Sequence, residues 1–239
     1  MSDTLVIIPT YNEKENIEAI IRAVFSQEKE FDVLVVDDNS PDGTSTIVKN
    51  LLKEFSNLFL EIRKEKTGLG TAYIHGFKWA FKKGYEYIIE MDADFSHNPK
   101  DLVRLYNACS IDGADFSIGS RYVNNKINVV NWDFKRLFLS YFASKYVRII
   151  TRIPIFDTTA GFVCYRKKVL ENIELDKIKF VGYAFQIEMK FKAWKRKFKH
   201  KEVSVIFTDR KEGTSKMSGS IISEAIFGVI KMRLRGLPK

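Results

Sequence analysis

The chain has 239 residues, 45% of them hydrophobic, and carries 39 Lys and Arg against 30 Asp and Glu, a formal net charge of +9. That length and apolar content suffice for one substantial α/β core, and the absence of a Pro-, Gly- or Ser-rich linker, an internal repeat or a low-complexity tract excludes a string of independent domains. The positive balance asks for an anionic partner, either nucleic acid or a membrane surface. From the N-terminus, Thr4-Leu5-Val6-Ile7-Ile8 is a short β-branched run stopped by Pro9-Thr10-Tyr11-Asn12-Glu13, after which Ile17, Ile20, Ile21, Val24 and Phe25 recur at helical spacing. Val33-Leu34-Val35-Val36 repeats the pattern, ends in Asp37-Asp38-Asn39-Ser40-Pro41-Asp42-Gly43, and gives way to a predicted helix over 46–55. Strand, polar loop and helix in succession predict a parallel α/β sheet that binds its ligand at the carboxyl ends of the strands.

Gly68-Leu69-Gly70 is read as the tight entry to a helix around 72–81, because neither Gly-Lys-Ser/Thr nor a full G-x-G-x-x-G accompanies it. The third strand, around Tyr87-Ile88-Ile89, runs into Glu-Met-Asp-Ala-Asp-Phe-Ser-His-Asn-Pro at 90–99. Residues two apart in an extended segment point the same way, so Asp92 and Asp94 aim at one point beyond the strand. Two carboxylates there outline a hard-metal site whose remaining positions go to water and diphosphate oxygens. Taken alone, Asp-X-Asp also suits a solvated turn that caps the helix beginning near Pro99. Three polar strand ends on one sheet edge favour a nucleotide site. His97 is read as a loop or capping residue rather than a metal ligand.

Further along, 137–156 is rich in Phe, Tyr, Leu and Ile but interrupted by Lys145, Arg148 and Arg152, too charged to cross a bilayer and suited to lie in the membrane interface as a basic amphipathic helix. The run 190–201, with Lys192, Lys195, Arg196, Lys197 and Lys199, reads as the solvated face of a helix; no zinc-finger or RNA-recognition spacing accompanies it, so no nucleic-acid partner is expected. The C-terminal stretch places Ile221, Ile222, Ala225, Ile226, Val229 and Ile230 before Lys231, Arg233, Arg235 and Lys239, which fits either a second interface helix or an ordinary core-packing one. Cys109 and Cys164 have no metal-type spacing and are expected to be free thiols in a reducing cytoplasm. No basic segment followed by a long apolar core suggests a signal peptide at the N-terminus.

The motifs Pro-Thr-Tyr-Asn-Glu (9–13), Val-Val-Asp-Asp-Asn-Ser-Pro-Asp-Gly-Thr (35–44), Gly-Leu-Gly-Thr-Ala (68–72), Met-Asp-Ala-Asp-Phe-Ser-His (91–97) and Gly-Ser-Arg-Tyr-Val (119–123) stand in this order. After them come Asn131-Trp132 with Arg136, Asp157-Thr158-Thr159-Ala160-Gly161-Phe162, Gly182-Tyr183-Ala184-Phe185-Gln186-Ile187-Glu188-Met189, and Asp209-Arg210 followed by Gly213, Ser215 and Lys216. On these residues the chain resembles the inverting family 2 glycosyltransferases of the GT-A fold, and within them the dolichol-phosphate (polyprenol-phosphate) mannose synthases. The resemblance implies an α/β GT-A fold: one mostly parallel central sheet flanked by helices, with a Rossmann-like nucleotide-binding half and C-terminal amphipathic helices. It further implies a transferase domain over 1–215, divided into a nucleotide-sugar half (1–100) and an acceptor half (101–215), with a basic amphipathic tail over 216–239. Pro9, Tyr11, Glu13, Val36 and Asp38 would then hold the base and ribose. Asp92, Ala93 and Asp94 would line the diphosphate, with Asp94 and Asp92 on Mg²⁺ or Mn²⁺, and Arg121, Arg136, Arg210 and Lys216 would bind the phosphates of donor or acceptor.

Where many relatives carry Gln as a third metal ligand this chain has Ser96, which leaves the hydroxyl, a water or nothing in that place, and Asn124-Asn125-Lys126 replaces a usual pair of glycines. The expected activity is an inverting transfer of mannose from GDP-mannose to dolichyl or polyprenyl phosphate by a peripheral protein at the cytoplasmic, inner face of an anionic membrane, alone or with a membrane-protein partner. An ionised phosphate acceptor needs no general base, whereas a sugar hydroxyl would. The alternatives are a family 2 enzyme using UDP-glucose or another nucleotide sugar with a saccharide acceptor, a non-catalytic nucleotide-sugar-binding subunit, and, more remotely, a basic nucleic-acid-binding module.

Overall fold

Three short apolar runs, 4–10, 32–37 and 87–90, form the centre of the molecule because each is buried on both faces, the condition under which parallel strands form. In chain order the elements are β1 (Thr4–Thr10), α1 (Ile17–Phe25), β2 (Asp32–Asp37), α2 (Thr44–Leu51), β3 (Leu58–Ile62), α3 (Leu69–Lys83), β4 (Tyr87–Glu90), α4 (Leu102–Ser110), β5 (Phe116–Ser120), β6 (Val129–Val130), α5 (Phe134–Thr151), β7 (Val163–Arg166), α6 (Lys167–Glu171), α7 (Ala184–Lys195), β8 (His200–Ser204) and β9 (Phe207–Thr208). This computed structural model describes residues 2–123, 127–130, 134–182, 184–208 and 228–234, without the side chains of residues 135 and 136.

Seven strands make one sheet in the order β3-β2-β1-β4-β7-β5-β8, and β6 pairs with β9 in a separate two-stranded ribbon. Within the large sheet β7 alone runs antiparallel, against β4 on one side and β5 on the other. The carboxyl ends of β1, β2, β3, β4, β5 and β8 therefore share an edge with the amino end of β7. Alternation along the strands sends Leu5, Ile7, Leu34, Val36 and Ile88 to a core under α3 and α7. Their neighbours Val6, Ile8, Val33, Val35 and Ile89 meet α1, α2 and α4. The apolar spacing of Ile17, Ile20, Ile21 and Val24 is the buried face of α1.

Several boundaries differ from the sequence reading. The helix expected over 46–55 spans Thr44–Leu51, started by Gly43 at φ 94°. The interfacial helix expected over 137–156 ends at Thr151, where Arg152 adopts φ 61°, so Arg152 does not extend a basic face with Lys145 and Arg148. The run 190–201 is not one solvated helix face. Lys190 and Lys192 are buried in α7, which stops at Lys195; Lys197 turns the chain at φ 64° and His200–Ser204 is a strand. Those lysines escape the usual rule because each has acceptors inside, Lys192 pairing with Glu188 at 2.9 Å. Of the C-terminal stretch, residues 228–234 are helical, and Val229 packs into the core beneath α3 and α7; Ile221, Ile222, Ala225, Ile226, Arg235 and Lys239 lie outside the described residues. Both cysteines are free and buried.

The Gly-Leu-Gly segment does form the entry to α3, with Gly70 N–H donating to the Val181 carbonyl at 2.8 Å. A Cβ on Gly70 would sit 2.6 Å from Phe185 Cδ2 and 3.0 Å from its Cβ, so the ring cannot simply swing away. Gly70→Ala is expected to destabilise the fold by roughly 1–3 kcal/mol through overpacking, read as a lower urea midpoint with an unchanged slope.

Candidate active site

At the β1 and β2 ends, buried hydroxyls and carboxylates tie the two loops together. Asp37 accepts from Thr10 Oγ1 at 2.8 Å and from Ser40 N–H at 2.9 Å, while Ser40 Oγ accepts Asn12 N–H at 3.0 Å. Asn12 and Asn39 take left-handed φ values of 59° and 56°, a conformation Asn tolerates better than most residues. Pro9 lies beside Val36 in the strand register. Tyr11 carries the Lys66 ammonium 4.2 Å above its ring, and Glu13 N–H donates to Thr44 Oγ1 at 3.0 Å. Asp38 is gripped by Arg63 through two bonds of 2.6 and 2.8 Å, and Arg63 also reaches Thr71 Oγ1 at 2.8 Å. Arg63 and Lys66 were missed by sequence reasoning, although Arg63 stands directly after β3 at the same edge as the other strand ends.

Beyond β4, Asp92 accepts from Tyr73 OH at 3.3 Å and its backbone N–H donates to His97 Nδ1 at 3.0 Å. Asp94 Oδ1 accepts Ser96 N–H at 3.1 Å across a turn in which Phe95 has φ 59°. Ala93, Ser96 and His97 are buried, and His97 stacks on Phe162 at 4.8 Å and meets the edge of Phe207 at 5.6 Å. Burial depresses the His97 imidazole below its ordinary value against the pull of Asp92 and Asp94. Accepting through Nδ1 places the ring proton on Nε2 and makes His97 a brace of the loop, as the sequence suggested. No three His, Cys, Asp or Glu side chains gather into a metal cage among the described residues. Asp92 and Asp94 are two carboxylates just beyond the end of β4, oxygen donors of the kind hard divalent cations prefer.

Arg121 emerges from the end of β5. Its Nε and Nη2 donate to the two carboxylate oxygens of Asp157, both at 2.7 Å, and its backbone N–H adds a third bond at 3.0 Å. Thr159 Oγ1 lies 2.8 Å from Nη2, while the rings of Tyr122 and Phe207 stand 5.2 and 5.4 Å from the guanidinium carbon. Phe207 thus touches both His97 and Arg121 and bridges the β4 and β5 ends, a residue that no sequence motif singled out. Burial alone would raise the Asp157 carboxyl; the Arg121 charge and hydrogen bonds outweigh it and hold it below its ordinary value. Arg210 and Lys216 lie outside the described residues, as does the side chain of Arg136 on α5.

Behind Asp92 the sheet buries a second charged group. Glu90 and Lys190 are wholly inaccessible to solvent. Burial raises the Glu90 carboxyl to about 8 and lowers the Lys190 ammonium to about 8, each opposed by the charge of the other.

Residues 5–174 match the family model described as glycosyl transferase family 2. The chain belongs to that family. It is 46% identical over 234 residues to a polyprenol monophosphomannose synthase of Mycolicibacterium smegmatis, covering 98% of this chain and 88% of the relative. With an undecaprenyl-phosphate mannosyltransferase of Micrococcus luteus it shares 42% identity over 230 residues, 96% of this chain and 93% of the relative. Two solved structures have the same fold at low identity. One is a mannosyltransferase from Pyrobaculum calidifontis in complex with GDP-mannose and Mn²⁺, with TM-score 0.65 and 19% identity, covering 99% of this chain and 65% of that one. The other is a glucosyl-3-phosphoglycerate synthase from Mycobacterium tuberculosis, with TM-score 0.68 and 13% identity, covering 99% and 81%.

In this family 2 protein the Arg121–Asp157 pair ties the end of β5 to the loop before β7. Removing one member of a buried pair leaves the other unsolvated and uncompensated, so Asp157→Ala is expected to destabilise the fold by roughly 3–5 kcal/mol. Because the native carboxyl titrates below its ordinary 3.8, its stabilisation is complete above about pH 4 and is lost as pH falls through the depressed native value. Urea unfolding at pH 7 and at pH 3 should therefore show the gap between wild type and variant narrowing in acid.

Proposed function

We propose that this chain is an inverting glycosyltransferase that moves mannose from GDP-mannose onto a polyprenyl phosphate at the cytoplasmic face of a membrane. What carries the reading is that two relatives matched over nearly the whole chain bear the names of enzymes joining mannose to a polyprenyl phosphate. The Pyrobaculum structure, with GDP-mannose and Mn²⁺ bound to the same fold, supports the donor.

The residues present fit this chemistry. Pro9, Tyr11, Glu13, Val36 and Asp38 would enclose base and ribose, with Arg63 fixing the Asp38 carboxylate and Lys66 closing over Tyr11. Asp92 and Asp94 would hold Mg²⁺ or Mn²⁺, the half-buried, hydrogen-bonded Asp92 leaving room for diphosphate oxygens, and Ala93 would line the diphosphate. Ser96 is buried and contributes its backbone N–H to Asp94, which favours an orienting role over direct ligation. A bound divalent cation would neutralise charge on the departing diphosphate. Arg121, committed to Asp157, would present the fixed dipole of that pair to the anionic substrates from the end of β5, with Arg136, Arg210 and Lys216 supplying net positive charge and phosphate contacts. The acceptor phosphate is ionised at neutral pH and attacks the anomeric carbon in one displacement, so no side chain need remove a proton and no covalent sugar–enzyme species forms.

Membrane access would come through α5. Phe134, Phe138 and Phe142 form an outward ladder at i, i+4 and i+8, 74%, 53% and 45% exposed. The same helix reaches the site through Ser144, 3.4 Å from Thr159. Exposed aromatic rings beside Lys145 and Arg148 suit an interface of acyl chains and anionic headgroups. No helix among the described residues is long and apolar enough to cross a bilayer.

Purified protein offered a panel of radiolabelled nucleotide sugars and short polyprenyl phosphate in detergent is expected to transfer mannose from GDP-mannose to the organic phase. Transfer should stop with chelator and fall at least a thousandfold in Asp94→Ala, about 4 kcal/mol of transition-state stabilisation. A saccharide acceptor labelled in place of the lipid would overturn the acceptor assignment. Replacing Phe138 and Phe142 together by Ser should release the protein from anionic vesicles in a flotation assay while leaving detergent-phase turnover intact.

A further inference from the structure

Lys190 is an ammonium with no access to water, on a helix that buries the apolar Phe185, Ile187 and Met189 together with Gln186, Glu188 and Lys192. A lysine at such a site is stable only where acceptors replace its hydration. It donates to the Ala160 carbonyl at 2.5 Å and to the Gln186 carbonyl at 3.2 Å, with Gln186 Oε1 at 3.4 Å. Ala160 is the middle of the loop that enters β7. At one end of that loop Asp157 and Thr159 hold the Arg121 guanidinium. At the other, Phe162 stacks on His97, which accepts the Asp92 N–H. The backbone of this loop is fastened by side chains, since Glu202 takes the N–H groups of Phe156 and Asp157 at 2.7 and 3.0 Å, and Lys190 takes the Ala160 carbonyl between the two ends.

We infer that Lys190 is a positioning residue for glycosyl transfer: by pinning Ala160 it sets the spacing between the Asp92/Asp94 end of β4 and the Arg121 clamp at the end of β5. The inference rests on the transferase reading above. Glu90, the last residue of β4, is also wholly buried and by strand alternation faces the same α3 and α7 side as Ile88, so Lys190 shares its interior with a second ionisable group. Charge balance and loop tether are therefore separate functions of one lysine, and two variants can divide them.

Lys190→Met removes both functions, whereas Glu90→Gln with Lys190→Met leaves no ionisable group of the pair in the interior and still no tether. Single-turnover transfer is expected to fall roughly ten- to a hundredfold in both, the range for an ångström-scale misplacement of reacting groups. Affinity for GDP with Mn²⁺, measured by calorimetry, should stay within about twofold of wild type, as a fixed donor site and a displaced acceptor loop require. The double variant should also melt closer to wild type than Lys190→Met does, with Glu90→Gln alone as the control for any effect of the carboxyl on donor binding. Recovery of transfer together with melting temperature in the double variant overturns the inference, because Lys190 is then only a counter-charge. Parallel loss of donor affinity and turnover, or failure of both Lys190 variants to fold, overturns it as well, by making the residue a general determinant of the fold. Should wild type label no polyprenyl phosphate, it is the acceptor assignment that fails, and the same comparison is read on the acceptor wild type does use.

Discussion

Strand β7 runs against both of its neighbours, and the geometry of the site depends on that reversal. A parallel strand between β4 and β5 would bring its carboxyl end to the shared edge, and the segment preceding it would enter from the far side of the sheet. Because β7 is antiparallel, the segment before it, 157–162, lies among the carboxyl ends of β4, β5 and β8. A loop carrying Asp157 can then meet Arg121 from β5 while Phe162 meets His97 from the β4 loop. The Asp92 loop and the Arg121 clamp are joined through this connection and through Phe207, which meets both His97 and Arg121.

Placing charge under such an edge is expensive, since a buried ion keeps its charge only where partners replace water. The structure handles this in two different ways. Arg121 and Asp157 satisfy each other directly through a fork and a backbone bond, which is why Asp157 titrates low despite complete burial. Burial pushes Glu90 and Lys190 toward neutrality, and the charge of each opposes the shift of the other. The first arrangement is rigid and fixes a cation's direction; the second leaves the ammonium's hydrogen bonds for the loop.

Much of this is legible in the chain because parallel strands advertise themselves. Val33 to Val36 and Leu5 to Ile8 are apolar throughout, and the polar residues that stop them mark the functional edge, so the amino-acid pattern alone puts Asp38, Asp92 and Asp94 there. The order and direction of the later strands are not legible in that way. Val163–Arg166 carries no local mark of running backwards, and His200–Ser204 is disguised by its lysine and glutamate, one face of it pairing at the sheet's rim. Periodicity also misjudges the lysines of α7, since a cationic side chain at an inward position reads as a solvated residue unless its acceptors, here a carbonyl 30 residues away and a glutamate one turn back, are known. Arg63 and Phe207 escape for the same reason: their significance lies in contacts with distant segments, not in the residues beside them.

The division of labour between these two kinds of contact bears on how a transferase with a phosphate acceptor can work without a general base. On the proposed reading both substrates are anionic, so the groups around them must favour negative charge yet hold their own positions until the sugar is aligned. On that reading an arginine already held by a buried aspartate gives the pair a fixed direction, with little freedom to follow a wandering phosphate, whereas an exposed lysine would follow it. Preorganised charge of this kind lowers the barrier because the dipoles do not have to reorient as the diphosphate departs. The buried pair therefore converts folding energy, stored in three hydrogen bonds to Asp157, into a fixed electrostatic geometry at the sheet edge. On that view the loop before β7 belongs to the reaction as much as the carboxylates do, because a shift in it would turn the guanidinium away from the point at which donor and acceptor charges approach.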